Sequence, residues 1–491
     1  MLFNSLEYAL FFPAVILLYF GLPYRFRPAM LLAASCLFYM AFVPVYILIL
    51  GFTIVIDYIA GILIEGSRGQ KRKWMLVLSL AANIGVLAVF KYYNWIAFNF
   101  NTVSEALHTG ARLDFLTILL PIGLSFHTFQ AMSYTIEVYR GKEKAERNFL
   151  LYSLYVMFFP QLVAGPIERP QNVLYQFREK HDFNYRNAAE GLKLIAWGLF
   201  KKICVADNLA QVVANVYGHP ADYEGIPVLI STFFFAVEIY CDFSGYSDIA
   251  LGSAQVMGFR LMENFRRPYF SLSVTEFWSR WHISLSSWFR DYVYIPLGGN
   301  RVSVPRYYLN IFIVFMLSGL WHGASWNFVI WGALHGIYRV TGTYTLKTRK
   351  ALAEAAGLTR FPVLHNLLNQ GWTFLLVSFG WIFFRAATFA DAMLLIKGMF
   401  RNIGPQLNSL LTDPGARDNL IYCHATKTAF FNGLGCMLVL LLVETLKGEG
   451  SARVWLAQRP PIVKWGAYYS LILCLLLFAQ QASVGFIYFQ F

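Results

Sequence analysis

The sequence predicts an all-α protein that crosses a membrane many times, and three observations carry that reading. Of its 491 residues, 57% are hydrophobic and 14% charged, against roughly 25% charged in an ordinary soluble domain. So few charges cannot cover a soluble exterior. The apolar residues fall in long runs, as a lipid-facing helix requires. The basic residues fall in short clusters between those runs, as they do in the cytoplasmic loops of membrane proteins.

A span needs about 20 predominantly apolar residues. Candidate spans are 7–22, 29–42, 45–64, 74–90, 112–130, 149–164, 188–215, 225–241, 307–320, 324–342, 371–387, 428–445 and 462–482. Some are short or polar enough to be re-entrant, so about ten to twelve true crossings are expected. The first run, Tyr8 to Leu22, follows a leader, MLFNSLE, with no positive charge, and no small-residue cleavage site comes after it. It is read as a retained span. No repeat, low-complexity tract or linker divides the chain, so residues 1–491 are read as a single membrane-embedded domain.

Loop charge sets an expected orientation. Arg25 and Arg27, then Arg68, Lys71, Arg72 and Lys73, then Arg140, Lys142, Lys144 and Arg147 form three basic loops. Placing them inside puts the N-terminus outside. Loop 91–111 then faces out, and Glu168 to Arg306 lies largely on the cytoplasmic side. The net charge is +13, but the Lys and Arg sit in short loops between apolar runs, which argues against nucleic-acid binding. The six cysteines contain no CxxC pair, so neither a zinc site nor a disulfide framework is expected.

Two segments make poor spans. Glu190 to Tyr217 is interrupted by Lys201 and Lys202. Phe277 to Tyr292, read as one helix, aligns Phe277, Trp278, Trp281, Leu285, Trp288 and Tyr292 on one stripe. Such a helix suits an interface or the mouth of a cavity.

Chemistry is expected between Tyr307 and Tyr338, 32 residues without one Asp, Glu, Lys or Arg. A straight helix of that length would run about 48 Å, well beyond a hydrocarbon core of about 30 Å. The break is expected at Ser318–Ser325, where two glycines and two serines flank His322. An ionisable group at membrane depth is costly and usually functional. A neutral imidazole there can take a proton from a hydroxyl; a histidine that only hydrogen-bonds a neighbouring helix is the other reading. His282, near Arg280, Arg290 and Asp291, reads either as a second functional group or as an interfacial side chain. His335 reads as a structural residue, and His127 as a packing or hydrogen-bonding one. Asp242 and Asp248 beside an apolar run suggest a buried ion pair or cap. No nucleotide-binding motif and no HExxH zinc motif occurs.

At these residues the sequence resembles the membrane-bound O-acyltransferase family, and within it the bacterial alginate O-acetylation branch. The matching segments are AGPIERP at 164–170, YCDFSGYSDIALGSAQVMGFRLMENFRRPY at 240–269 and TEFWSRWHISLSSWFRDYVYIPLGGNR at 275–301. SGLWHGASWNFVIWGALHG at 318–336 and WIFFRAATFADA at 381–392 match too. The resemblance implies a ring of tilted helices around a central tunnel. It places the family's essential buried histidine on His322 and its second functional histidine on His282. Donor would enter from the cytoplasm and acceptor from the other face.

The implied reaction moves an acyl group, expected to be acetyl, from acetyl-CoA or an acylated carrier, with no metal or tightly bound cofactor. Asp242, Asn264, Arg280, Trp281, Arg290 and Trp321 would line the donor mouth or the tunnel. A separate exported, periplasmic acyltransferase would finish the modification of a polysaccharide such as alginate, cellulose or peptidoglycan. The implied location is the bacterial inner membrane, in contact with its lipid. The ending Val484–Phe491 resembles that of a small partner peptide in systems that move D-alanyl groups onto teichoic acid. By that likeness Tyr488 would carry the acyl group briefly; an interfacial aromatic anchor is the other reading. A D-alanyl-type transferase fed by a carrier protein and a non-enzymatic polysaccharide channel are the alternative functions.

Overall fold

The computed structural model describes residues 1–117, 120–163, 165–478 and 485–487. Among them every regular element is a helix and none is a strand. Seven helices are long and apolar enough to cross a membrane. Helices of this kind satisfy all their backbone polar groups internally, which a hydrocarbon core demands. The last of them, Pro461–Phe478, has Ile462, Ile472, Leu473, Leu476 and Leu477 exposed, while Leu471 and Leu475 pack against the core. The chain is an all-α polytopic membrane protein.

Two compact units divide the chain. The first comprises Met1–Ala196 and Tyr246–Met262. It contains α1 (Leu6–Gly21), α2 (Arg27–Met40), α3 (Ile47–Gly66), α4 (Gly69–Leu87), α5 (Leu124–Arg140) and α6 (Phe149–Met157). Beyond α4 a wider π-helical turn, Ala88–Tyr92, leads into Tyr93–Ala106. Gly69–Ala106 is thus one 38-residue helix, where the apolar pattern alone suggests a loop from residue 91. No Gly or Pro interrupts 86–109, so nothing stops the helix. The run 112–130 departs from expectation in the opposite sense. Its helix starts only at Leu124, after Gly123 in the left-handed region (φ 77°). Part of the extended segment before it is held by Asn94 and Asn101, whose side chains exchange paired hydrogen bonds with the backbone of Leu116 and Leu113.

A polar cluster lies inside this unit where α3, α4 and α5 pack. Asp57 accepts hydrogen bonds from Ser79 Oγ (2.6 Å) and Asn83 Nδ2 (2.8 and 2.9 Å). Thr53 Oγ1 donates to the Leu50 carbonyl at 2.9 Å, and His127 Nε2 lies 2.6 Å from the same oxygen. The threonine oxygen therefore accepts from the imidazole N–H.

The second unit comprises Trp197–Gly245 and Glu263–Phe491. It begins at the end of helix α7 (Tyr185–Leu199), most of which belongs to the first unit, and the chain passes through a π-helical turn, Phe200–Ala206, into α8 (Asp207–Gly218). Then come α9 (Ile226–Val256), which belongs to this unit up to Gly245, α10 (Val274–Arg280), α11 (Ile283–Phe289), α12 (Val304–His322) and α13 (Trp326–Tyr344). The remaining long helices are α14 (Pro362–Arg385), α15 (Lys427–Lys447) and α16 (Pro461–Phe478). An aromatic core fills the unit, with Trp281, Trp331 and Trp381 almost wholly buried.

Candidate active site

The break predicted at Ser318–Ser325 is present, and it places His322. Helix α12 ends on His322 and α13 begins at Trp326. The two helices fold back on each other with their backbones in contact. A Cβ on Gly319 would lie 2.3 Å from the Phe328 carbonyl oxygen, and one on Gly332 would lie 2.5 Å from that of Phe315. No larger side chain fits at this crossing, which is the close approach glycine permits. Asn327 Nδ2 donates to the Ala386 carbonyl at 2.8 Å and ties the start of α13 to the end of α14.

His322 sits at this corner, 5% exposed. Its ring meets Trp321 and Trp331 edge-on, each at 4.9 Å between centroids, and Phe384 at 5.2 Å. Trp331 leads on to His335 at 4.8 Å. His335 Nδ1 accepts a 3.2 Å hydrogen bond from Trp278 Nε1, which makes it a packing residue of the aromatic core.

His282 is fully buried. The stripe from Phe277 to Tyr292 is two helices rather than one, and the residue between them that breaks the run is His282, in the left-handed region (φ 42°). Asn264 fixes this turn. Its carbonyl accepts from Ile283 N at 3.0 Å, and its side-chain Oδ1 accepts from Ser284 N at 3.2 Å. The His282 ring packs on Phe243 at 4.7 Å and on Trp321 at 6.1 Å. One indole, Trp321, thus touches both imidazoles. Burial pushes the His282 imidazole down to about 3, so it is neutral near pH 7.

A cavity of about 390 Å³ opens beside α12. Its wall is largely apolar, with Trp278, Ile311 and Phe315. Ser286, Ser287, Arg290 and Arg339 supply its polar groups. Ser318 also lines it and lies one helical turn from His322 on the same face.

The other expected site residues take different places. Trp281 belongs to the core, stacked on Phe277 at 5.4 Å and tilted against Trp381 at 5.1 Å. Arg280 pairs with Glu276 (2.6 Å) and Glu449 (2.9 Å), and Arg290 with Asp291 at 2.8 Å. Asp242 joins a buried ion cluster. Lys202 Nζ lies 2.6 Å from Asp242 and 2.8 Å from Asp207, with all three side chains at most 4% exposed. Tyr488 lies outside the described residues. Trp331, Phe384 and Arg339 were not expected at the site. The apolar run 307–338 contains Trp331, the segment 381–392 contains Phe384, and Arg339 directly follows the first of these, but nothing local marks them out.

Comparison with known proteins identifies the family of the chain. The chain is 38% identical over 80% of its length to a probable alginate O-acetylase of Pseudomonas aeruginosa, covering 73% of that protein. It is 33% identical over 94% of its length to a peptidoglycan O-acetyltransferase of Helicobacter pylori, covering 92% of it. A teichoic acid D-alanyltransferase of Streptococcus thermophilus matches at 31% over 52% of the chain and 63% of that protein. The family model for membrane-bound O-acyltransferases matches residues 142–384. The chain belongs to the membrane-bound O-acyltransferase family. Within this O-acyltransferase the matched residues include His282, His322, Asn264, Trp331 and Phe384, and end before the C-terminal tail.

Proposed function

We propose that this O-acyltransferase takes an acetyl group from a thioester on the cytoplasmic side, acetyl-CoA or an acetylated carrier, and passes it outward for O-acetylation of an exported polysaccharide such as alginate or peptidoglycan. The whole chain acts as one domain of the bacterial inner membrane, with an exported acyltransferase as partner. The observation that carries the reading is His322, held among three aromatic rings at a helix end one turn from the cavity wall.

In this reading the donor's acyl arm occupies the cavity, with Arg290 and Arg339 near its charged portion. His322 takes the proton of an attacking hydroxyl as its oxygen bonds the thioester carbonyl carbon. The carbon–sulfur bond breaks, and the leaving thiolate receives that proton from the imidazolium. A positioned base of this kind typically contributes about 10²–10⁴-fold. His282 steadies Trp321 behind it. The attacking hydroxyl belongs to Tyr488, which follows the buried Phe486 and Ile487 in the chain and hands the acetyl group to the partner.

The D-alanyl relative supports a second reading with a different donor. Purified protein incubated with labelled acetyl-CoA and, separately, with a D-alanyl carrier protein distinguishes the two; acetyl transfer is expected. Mass spectrometry should find an acetylated Tyr488, and Tyr488→Phe should abolish polymer acetylation. Normal acetylation by Tyr488→Phe, with no adduct on the wild-type tail, assigns the attacking hydroxyl to the partner.

A further inference from the structure

Among the described residues, the buried ion cluster in the second unit brings Lys202 together with Asp207 and Asp242, and Asp242 also takes a hydrogen-bond donor from the far end of the chain. Asp242 Oδ1 faces Lys202 at 2.6 Å. Asp242 Oδ2 accepts the backbone N–H of Ile487 at 2.8 Å. Tail and carboxylate are 245 residues apart in sequence, and the bond between them is buried.

The surroundings are built to hold this arrangement. Lys202 lies in the π-helical turn Phe200–Ala206, a feature frequent at functional sites. A Cβ on Gly245 would lie 2.7 Å from the Gly198 carbonyl oxygen and 3.1 Å from Lys202 N, so α9 approaches that turn backbone to backbone and brings Asp242 within reach. Beside the ion cluster the tail packs by shape. Ile487 is 4% exposed in the aromatic core. Phe486 is fully buried and meets Phe243 at 5.8 Å, and Phe243 in turn meets His282 at 4.7 Å.

Charge explains why a backbone amide is used. A single lysine cannot neutralise two carboxylates, and a buried carboxylate oxygen without a donor is costly. The Ile487 N–H supplies that donor without a second buried charge.

We propose that Asp242, held by Lys202 and Asp207, is the docking point of the C-terminal tail and thereby a positioning residue for acyl transfer. The second half of this inference rests on the reading of Tyr488 as acyl carrier; the first half does not. Hydrogen-exchange mass spectrometry on the full chain in detergent tests the docking directly. Asparagine has one carbonyl oxygen and an NH2 group in place of two acceptors, so Asp242→Asn can serve Lys202 or Ile487 but not both. Exchange in the peptide containing Phe486 and Ile487 should rise roughly ten- to a hundredfold, while peptides of α12 and α13 keep the wild-type rate.

Ile487→Pro removes the N–H and leaves Lys202, Asp207 and Asp242 themselves unsubstituted, so it serves if Asp242→Asn fails to fold. It should release the tail, and Ile487→Val should not. Unchanged tail exchange in both Asp242→Asn and Ile487→Pro overturns the docking. Acetyl transfer should fall with tail release while the KM for donor stays constant. A released tail with undiminished transfer overturns the positioning role. Normal transfer by Tyr488→Phe defeats the carrier reading alone, because tail exchange does not depend on the chemistry.

Discussion

The polar cluster of the first unit and the histidine corner of the second are both buried in apolar helices, yet they are built in opposite ways. Asp57 lies in mid-helix, and three hydrogen bonds from Ser79 and Asn83 converge on its carboxylate. His127 is tied to Thr53 in the same manner. His322 ends its helix, beside the break between two helices, with aromatic rings as its neighbours. The first arrangement spends its polar groups on one another and joins helices. The second presents an imidazole at a corner next to a cavity. Depth in an apolar run therefore does not distinguish a site from a strut; the position along the helix and the kind of neighbour do.

The largest expected effect tests that contrast. His322→Ala should lower acyl transfer by about 10²–10⁴-fold with unchanged membrane insertion. Asp57→Ala should leave transfer per folded molecule intact and cost about 1–3 kcal/mol of stability for each donor left without an acceptor. Transfer rates and thermal unfolding in detergent read the two quantities separately. Equal loss of transfer in a well-folded Asp57→Ala protein would break the distinction.

A smaller effect sharpens it. Asn264 holds the turn on which His282 sits, so Asn264→Ala should reduce transfer by roughly tenfold, the consequence of one unsatisfied buried N–H. Asn264→Asp keeps an acceptor for Ser284 N and should recover most of the rate. If alanine transfers as well as wild type, the turn is held by its aromatic packing alone.

The smallest effect is on pH. His282 stays neutral in the fold down to about 3, whereas an unfolded imidazole protonates near 6.5. Its folded pKa is depressed, so the contribution to stability is present above 6.5 and lost as pH falls from 6.5 toward 3. Between pH 7.5 and 5.5 the loss is about 1.4 kcal/mol. Thermal unfolding of wild type and His282→Asn at those two pH values isolates it: the variant should lose less stability on acidification. An identical loss in both would mean that His282 titrates normally.

Much of this was legible in the sequence because it is local. The long uncharged run, the glycines around His322 and the impossibility of a 32-residue straight span together placed both the break and the histidine. The break at His282 was hidden, because a single left-handed residue leaves the 100° spacing of Phe277, Trp281, Leu285 and Trp288 intact. The continuous helix over Gly69–Ala106 is hidden because Lys91, Tyr92 and Tyr93 read as a loop by polarity, although none of them breaks a helix as Gly or Pro would. The Lys202–Asp207–Asp242 cluster left a partial trace: Lys201 and Lys202 interrupt an apolar run, and lysines so placed need partners. Their tail partner, hundreds of residues onward, has no sequence signal at all, since its contribution is a backbone N–H.

The left-handed turn at His282 also governs how that position can be varied. For most side chains such a backbone costs about 1–2 kcal/mol, while asparagine and glycine adopt it readily. Alanine at 282 would therefore mix two losses, the imidazole and the shape of the chain, and overstate the chemistry. Asparagine removes the ring and keeps the bend. A change that looks conservative by size, such as glutamine, is here the more disruptive one, because what the position demands first is a torsion angle and only then a functional group.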